Sequence, residues 1–550
     1  MTNMTPELFA ATLNALVETN RRQAAQNEAL LRGQEEMSQT IRQLQSQLAW
    51  FQNRYFGKSS EKHAPFADQP GLFEEFNAPA DMDEGDAPCS GAPDPSKDRR
   101  DTDGDRKKRE SRLRAMMDRL PVLKREVIEP EGGVDLSRYR RIGEEVTRTL
   151  ECEPGKLYVK ETVRPKYGLI DPTEPAGKGE GVLIAPMPLM PIYKGIPGAS
   201  MLTEILLDKF EYHMPYYRQI KKLFHQGLEG LTESTVDGWF KKTAELLRPL
   251  YSTLEREVFS CDYVQADETV VPVVDGSSHK AEREYLWQAR AVMDRLVIFF
   301  YDEGSRAGDV IKEKTDRYGF KGYLQCDGFG GYTAAFRGSP DVTLVFCMTH
   351  MRRDFRDAVK ENRKPAEHAM AEIQKLYRIE DECDDARMDF GQRAAYRREH
   401  ARPILDSMKK WMEEECLGFS PMTLIGQAVT YAYTRWDAMY AYLDDGRIML
   451  DNNLSENEVR PITLGRKNWM FCGNHEAVRN MCVIASLLAT CRNHSVNPRD
   501  YLNHVISAMP YKTGATHGEL LDMLPHRWKL AHPESVMPDF RATQRKTKKK

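Results

Sequence analysis

Apolar residues recur every seventh position near the start of this chain. Leu30, Met37, Leu44 and Phe51 form one line and Ile41, Leu48 and Tyr55 a second, with Gln34 as a polar break. So narrow a seam predicts a helix over 1–56 that pairs with another in a coiled coil; the alternative is an amphipathic helix packed on its own chain. The pattern lapses over 57–112, where Asp, Glu, Pro, Ala and Gly dominate, as in a flexible acidic linker. Arg106, Lys107, Lys108 and Arg109, with Arg112 and Arg114, close it, either as a solvated end or as a contact to DNA backbone. Short alternating runs at Val122–Ile128 and Lys156–Val163 then predict a β-rich module over 113–200. Helical spacing governs 201–254. Within it His225–Phe240 reads as helix, glycine-bearing turn and second helix, with Thr232 or Ser234 as N-cap, a helix-turn-helix-like arrangement. The second helix carries no base-reading Arg or Asn, so plain helical packing accounts for it equally well.

From Cys261 the period changes to that of strands. Val264–Val274 is the first, turning at Asp275-Gly276; Tyr285–Met293 and Arg295–Tyr301 follow, joined by a tight turn at Asp294. A helix is predicted over Ala307–Tyr318, a fourth strand over Gly322–Cys326, a glycine-rich turn into another helix, and a fifth strand over Val342–Cys347. Three antiparallel strands, a crossover helix, a parallel strand, a helix and a further strand make an α/β, ribonuclease-H-like core of the retroviral-integrase type, begun over 255–360. Residues 361–444 are helical and charged, with Trp411 and Trp436 on apolar faces, and read as an insertion. The core resumes over 445–475, where Leu450-Asp-Asn-Asn453 can cap a helix that Pro461 should keep short. A helical region with a basic tail fills 476–550.

At 550 residues the chain exceeds one ordinary domain, and three or more units are expected. Its net charge of −4 does not by itself favour nucleic acid; only the uneven spread of charge does. Ten cysteines without a C-x-x-C pair, several of them inside apolar runs, read as reduced thiols of a cytosolic protein. No apolar stretch is long enough to span a bilayer, and no basic segment followed by an apolar core marks a secretory signal. Gly57-Lys58-Ser59 lacks the upstream glycine and preceding strand of a phosphate loop, so no nucleotide site is expected there.

Three acids sit where chemistry is expected. Asp267 interrupts the first strand, Asp327 ends the fourth, and Glu456 opens the segment after the insertion. In the ribonuclease-H-like fold the first and fourth strands are neighbours, which brings Asp267 and Asp327 together. Carboxylates converging from separate elements suit a pair of Mg²⁺ or Mn²⁺ ions, and the order Asp, Asp, Glu points to phosphoryl transfer on nucleic acid. Glu268 should point to the opposite sheet face, because side chains alternate along a strand. Asp451 is the rival third ligand. His350, Arg352 and Arg353 could orient the scissile phosphate or merely neutralise acidic neighbours. Arg460, Arg466 and Lys467, followed by Trp469, form a basic and aromatic setting suited to DNA backbone and an unpaired base.

The segments Tyr323–Tyr332, Cys347–Phe355 and Asp451–Pro461, the last followed by Leu464–Phe471, resemble the signatures of the insertion-sequence family sixty-six transposases. The resemblance runs over nearly the whole chain, including the heptad helix, Phe56–Lys62, Ile142–Val146 and Arg164–Tyr167. It implies a DDE transposase that cleaves and joins DNA at the ends of a mobile element, with Asp267, Asp327 and Glu456 holding two ions. It implies as partners the terminal inverted repeats, target DNA, a second copy of the chain or more, and small accessory proteins, and as location the nucleoid of a bacterial cytoplasm. The family commonly carries two C-x-x-C pairs around the Arg-Pro-Lys-Tyr segment. Here only Cys152 lies nearby, so no structural zinc is expected. A structure-selective nuclease on the same fold, or a domesticated DNA-binding protein, is the alternative.

Overall fold

The computed structural model describes residues 117–129 except 119, 139–169 except 154, 182–274, 280–416 and 418–538. The heptad helix, the acidic linker and the basic tail lie outside the described residues. Within them, 350–443 form one compact unit, and 117–349 with 444–538 form another. No helix among the described residues is long and apolar enough to cross a membrane.

The larger unit holds two sheets. In the first, β2 (Tyr139–Glu153) and β3 (Lys156–Leu169) form a long antiparallel hairpin; β1 (Val122–Val127) lies parallel to β3, and β4 (Val182–Ile184) pairs with its far end. Leu150, Leu157, Val159 and Val163 are buried, while Arg148–Glu161 and Arg164–Glu145 ion pairs link the hairpin strands. The charged stretch Tyr139–Glu145 is therefore strand too, held by register with β3 and not by its own apolar pattern.

Three helices follow: α1 (Ala199–Phe210), α2 (Tyr216–His225) and α3 (Glu233–Phe259). Thr232 caps α3, its hydroxyl accepting from the Thr235 N–H. Positive φ angles at Gly227 and Gly230 make the turn before it. The second half of α3 buries Leu247, Leu250, Leu254 and Val258 against the second sheet, so this helix is part of the core over most of its length.

That second sheet has the order β7-β6-β5-β8-β9, with β5 (Tyr263–Val274), β6 (Ala281–Ala291), β7 (Leu296–Phe300), β8 (Gly322–Cys326) and β9 (Val342–Phe346). β5, β6 and β7 are antiparallel; β5, β8 and β9 are parallel. Parallel pairing requires crossovers, and α4 (Asp309–Tyr318) and α5 (Gly330–Ala335) supply them. Gly322 has φ +140°, and a Cβ there would lie 2.0 Å from the Asp262 carbonyl oxygen; only glycine lets β8 start so close to β5.

After β9, the helix α6 (Met348–Ala358) leads into the smaller unit. That unit comprises α7 (Arg363–Asp385), α8 (Phe390–His400), α9 (Arg402–Trp411), a π turn at Met412–Cys416, α10 (Leu424–Tyr433), α11 (Trp436–Met439) and α12 (Ala441–Asp444), which ends at its boundary. Trp436 is fully buried and donates its indole N–H to the Leu405 carbonyl at 3.0 Å. Buried Arg397 pairs with Glu380 and donates to the Tyr442 carbonyl. The chain then returns to the larger unit beside the point where it left: the Met348 N–H donates to the Leu450 carbonyl at 3.1 Å.

The segment after this return corrects one expectation. α13 (Asn453–Trp469) is 17 residues long and passes straight through Pro461. The missing N–H removes one bond, to Asn457, but Ser455, Glu458, Val459, Ile462 and Gly465 are buried, and α13 lies on β5 and β6. Packing of that face outweighs the loss. α14 (His475–Asn493) closes the sheet on β7, where the Ser486 and Thr490 hydroxyls accept from the Phe299 and Val297 N–H groups. α15 (Pro498–Ala508) packs against α1, and two short helices, α16 (His517–Leu521) and α17 (Pro525–Ala531), complete the unit.

Candidate active site

Two pentapeptides share one pattern: Tyr263-Val-Gln-Ala-Asp267 and Tyr323-Leu-Gln-Cys-Asp327. They lie in register on neighbouring parallel strands, Tyr263 beside Tyr323, Val264 beside Leu324 and Gln265 beside Gln325. The same offset continued for two residues brings the aspartates side by side, where β8 has ended and β5 runs on. Asp267, Glu268 and Asp327 each offer a carboxylate oxygen, all within 4.8 Å of one another. The Asp327 Oδ1 accepts from the Phe329 N–H at 2.8 Å, and the Asp267 Oδ1 from the Glu268 N–H at 3.0 Å.

The glutamines of the same pentapeptides tie down the segment that leads into α13 and Glu456. The Gln265 amide donates to the Gln325 side-chain oxygen at 2.8 Å and to the Asp451 carbonyl at 3.0 Å. The Gln325 amide donates to the Met449 carbonyl at 2.8 Å, and the Tyr263 hydroxyl donates to Gln325 and accepts from the Met449 N–H. The Asn452 amide reaches the Ala266 carbonyl at 3.0 Å. One turn on, the Ser455 hydroxyl donates to the buried Gln288, which pairs across the ladder with Asp267. Glu458 forms a buried ion pair with Arg290. A buried network of this kind holds its members in place, because a group pulled out of it into the interior would carry a desolvation penalty. It fixes the first turn of α13, and with it Glu456, beside the middle of β5; Glu456 stands outside the close Asp267–Glu268–Asp327 group but near enough for its charge to act on Asp267.

Electrostatics follow from the crowding. The Asp267 carboxyl is pushed well above the usual carboxylate range, first by burial, then by the charges of Glu268, Asp327 and Glu456; its bond from the Glu268 N–H works the other way. Glu268 is raised by burial and by Asp327, against the pull of Arg306 and Tyr332. Asp451 accepts from the Asn453 N–H at 3.1 Å, the Asn453 amide at 2.8 Å and the Thr349 hydroxyl at 3.4 Å, the pattern of a capping residue.

Glu268 corrects a second expectation. Alternation along β5 starts it toward the other face, yet its carboxylate joins the acidic group. Pairing between β5 and β8 stops at Gln265, which leaves the edge of β5 open for a side chain of glutamate length. Arg306 grips it with Nε and a terminal nitrogen at 3.0 and 2.8 Å, and the Tyr332 hydroxyl donates at 3.1 Å. Arg306 is itself stacked on Phe329, 4.1 Å from the ring centroid. Arg306, Tyr332 and the two glutamines were not singled out from sequence. The repeated Tyr-x-Gln-x-Asp pattern was the signal that could have found the glutamines.

The basic candidates are dispersed. His350, Arg352 and Arg353 lie on α6 within the smaller unit, and the charges of His350 and Arg353 oppose the burial that raises Asp354. Arg460 and Lys467 are exposed on α13. Arg466 is half-buried; it donates to the Thr269 hydroxyl at 3.5 Å, and burial and Arg283 lower its pKa. Trp469 folds back over Gly465, where an added Cβ would meet its indole nitrogen at 2.7 Å, and Lys209 lies on its ring.

The grouped carboxylates provide only hard oxygen donors and repel one another, which fits a divalent cation of the Mg²⁺ or Mn²⁺ kind. Comparison with known sequences agrees with such a centre. The description "Transposase IS66 family" belongs to a family model that matches residues 194–480. A second, "Transposase C of IS166 homeodomain", matches residues 43–127. The chain is 29% identical to the uncharacterized protein y4hP of Sinorhizobium fredii (strain NBRC 101917 / NGR234) over 523 residues, 88% of each chain. It is 31% identical to y4qI of the same organism over 439 residues, 76% of this chain and 78% of that one. The matched span 194–480 runs from α1 through all three acids, and the chain belongs to the IS66 family of transposases.

Proposed function

We propose that this chain cleaves and joins DNA at the ends of an insertion sequence by two-metal phosphoryl transfer, on a ribonuclease-H-like core. The observation that carries the reading is the in-register pair of Tyr-x-Gln-x-Asp strands, with Glu456 tethered close enough to act on Asp267. The strand order, the parallel β5–β8 pair and the crossover helices support the core assignment.

Asp267, Asp327 and Glu456 would hold the divalent ions. Divalent ions bound there supply Lewis acidity to activate the nucleophile and to stabilise the leaving 3′-oxygen. The chain's own residues set the geometry. Gln265 and Gln325 fix the strand offset, and the Asn452 and Ser455 bonds fix α13. Arg306 and Tyr332 hold Glu268, which would leave Asp267, Asp327 and Glu456 to hold the ions. Arg466, beside Thr269 and two residues along β5 from Asp267, places positive charge next to the path of a phosphate backbone. His350, Arg352 and Arg353 are proposed as further phosphate contacts. A second copy of the chain, paired through the heptad helix, would hold the second element end.

The test uses duplex DNA carrying the terminal repeat that flanks the gene, with Mg²⁺. Asp267→Ala, Asp327→Ala and Glu456→Ala should each lower cleavage by at least about a thousandfold, in line with the loss of charge stabilisation at such centres. DNA binding should be kept or strengthened, since a carboxylate that repels phosphate is gone. Asp451→Ala should keep cleaving. Near-normal cleavage by Glu456→Ala with loss in Asp451→Ala would exchange the third ligand. Nicking without joining by the parent would make the protein a nuclease.

A further inference from the structure

The end of α13 is strained and exposes apolar side chains. Met470 has φ +59° and ψ −51°, and the Phe471 N–H donates to the Trp469 carbonyl at 2.7 Å. That is a γ-turn of the rare, strained kind, in a conformation that side-chain-bearing residues avoid. It persists because both flanks are fixed. Before it, Trp469 is locked over Gly465. After it, Cys472 pairs with the end of β5, its N–H donating to the Pro272 carbonyl at 2.8 Å and its carbonyl accepting from the Val274 N–H at 2.9 Å. The turn throws Met470 and Phe471 outward, 65% and 47% exposed. Strained backbone of this kind clusters at functional sites.

The surroundings are basic. Lys467 and Asn468 are exposed on the last turn of α13, and the Asn468 side chain accepts from Arg218 on α2, 3.4 Å away. Arg218 and Lys221 are exposed on α2, with Tyr217 and Phe224. Two elements connect this tip to the acids independently. Thirteen residues of helix from Glu456 to Trp469 span about 20 Å, and six residues of strand from Asp267 to Val273 span about 20 Å. Such a span corresponds to about six base steps of a DNA strand.

We infer that Met470 and Phe471 are an apolar wedge that enters the bound DNA about six nucleotides from the scissile phosphate and unstacks a base step there. The inference rests on the transposase reading above. Lysine and arginine on both flanks draw the phosphate backbone to the tip, and the turn presents an aromatic ring and a thioether, as kinking proteins present their wedges. The wedge assigns base contact to Phe471 in place of Trp469, whose ring is packed against the protein.

The experiment uses the full-length chain and terminal-repeat duplexes carrying 2-aminopurine at single positions four to eight nucleotides from the cleaved bond. The parent should brighten one or two adjacent positions on binding, because unstacking relieves quenching. Phe471→Ala should abolish that rise and lower joining about tenfold, as loss of one base stack would, with the slope of affinity against salt unchanged. Phe471→Trp should restore both. Circular dichroism and melting identical to the parent separate loss of the wedge from misfolding, and Met470→Ala provides a second variant with the same expected direction. A parent that cleaves but brightens no position overturns the wedge and leaves the transposase reading intact. Phe471→Ala that brightens like the parent also overturns it. A change in mass by light scattering on Phe471→Ala would assign the tip to protein contact and likewise overturn it. A parent that neither binds nor cleaves the duplex fails at the earlier step.

Discussion

Asp267 concentrates the cost of the site in one side chain. Its folded pKa is raised, so the folded state holds the proton more tightly than the unfolded chain does. Stability from this group is therefore fully present below the ordinary carboxylate range and declines as pH rises toward the folded value. Asp267→Asn should melt a few degrees above the metal-free parent near pH 8, a shift typical of a change of about 1–2 kcal/mol, and the gap should close toward about pH 4. A gap that widens on acidification would reverse the assignment. By the same linkage, Mg²⁺ or Mn²⁺ binding should expel protons and tighten with pH, as read by calorimetry in buffers of different ionisation enthalpy. Met470 stores strain of another kind. Met470→Gly should raise stability by about 1 kcal/mol, part of the cost of its backbone conformation, as measured by denaturant unfolding. At this scale the meeting of Asp267 and Asp327 could be read from sequence, because each sits at a pattern break on strands that the fold makes neighbours. Glu268 could not, since its reach depends on where β8 stops pairing, a property of two strands and not of one.

Strands and crossovers were legible because each is a short apolar run bounded by glycine, aspartate or a charged helix. β8 matches its expected limits, and β5 runs Tyr263–Val274 where Val264–Val274 was read. α13 was misjudged because a proline rule is local, whereas this helix is held by a buried face against two strands. Pro461→Ala should restore the N–H bond to the Asn457 carbonyl and stabilise the protein by about 1 kcal/mol or more, within the roughly 3 kcal/mol that separates the two residues in a helix interior. Denaturant midpoints check this. Destabilisation would mean that the proline shapes the helix and does not merely burden it. β2 escaped sequence reading in part, since its first half is charged and owes its extended form to the long register with β3.

For the whole molecule, a net charge of −4 means that affinity for DNA has to come from local fields. Arg460→Ala and Lys467→Ala should each lower the slope of log affinity against log salt by about 1, the signature of one lost phosphate contact. An unchanged slope would remove that residue from the interface. The heptad seam lies outside the described residues. Leu44→Glu with Leu48→Glu should cost several kcal/mol of association, at about 1.5–3 kcal/mol for each buried side chain. Light scattering should then register a fall in mass, and an unchanged mass would leave the helix as intrachain packing. The bond between Met348 and Leu450 has a further meaning for the history of such proteins. A chain that departs and comes back through neighbouring backbone groups has a doorway whose width does not depend on what was built beyond it. Residues 350–443 could thus be lengthened, shortened or exchanged over generations without moving an acid, and replacing them by a few glycines and serines should yield a folded, if incomplete, descendant.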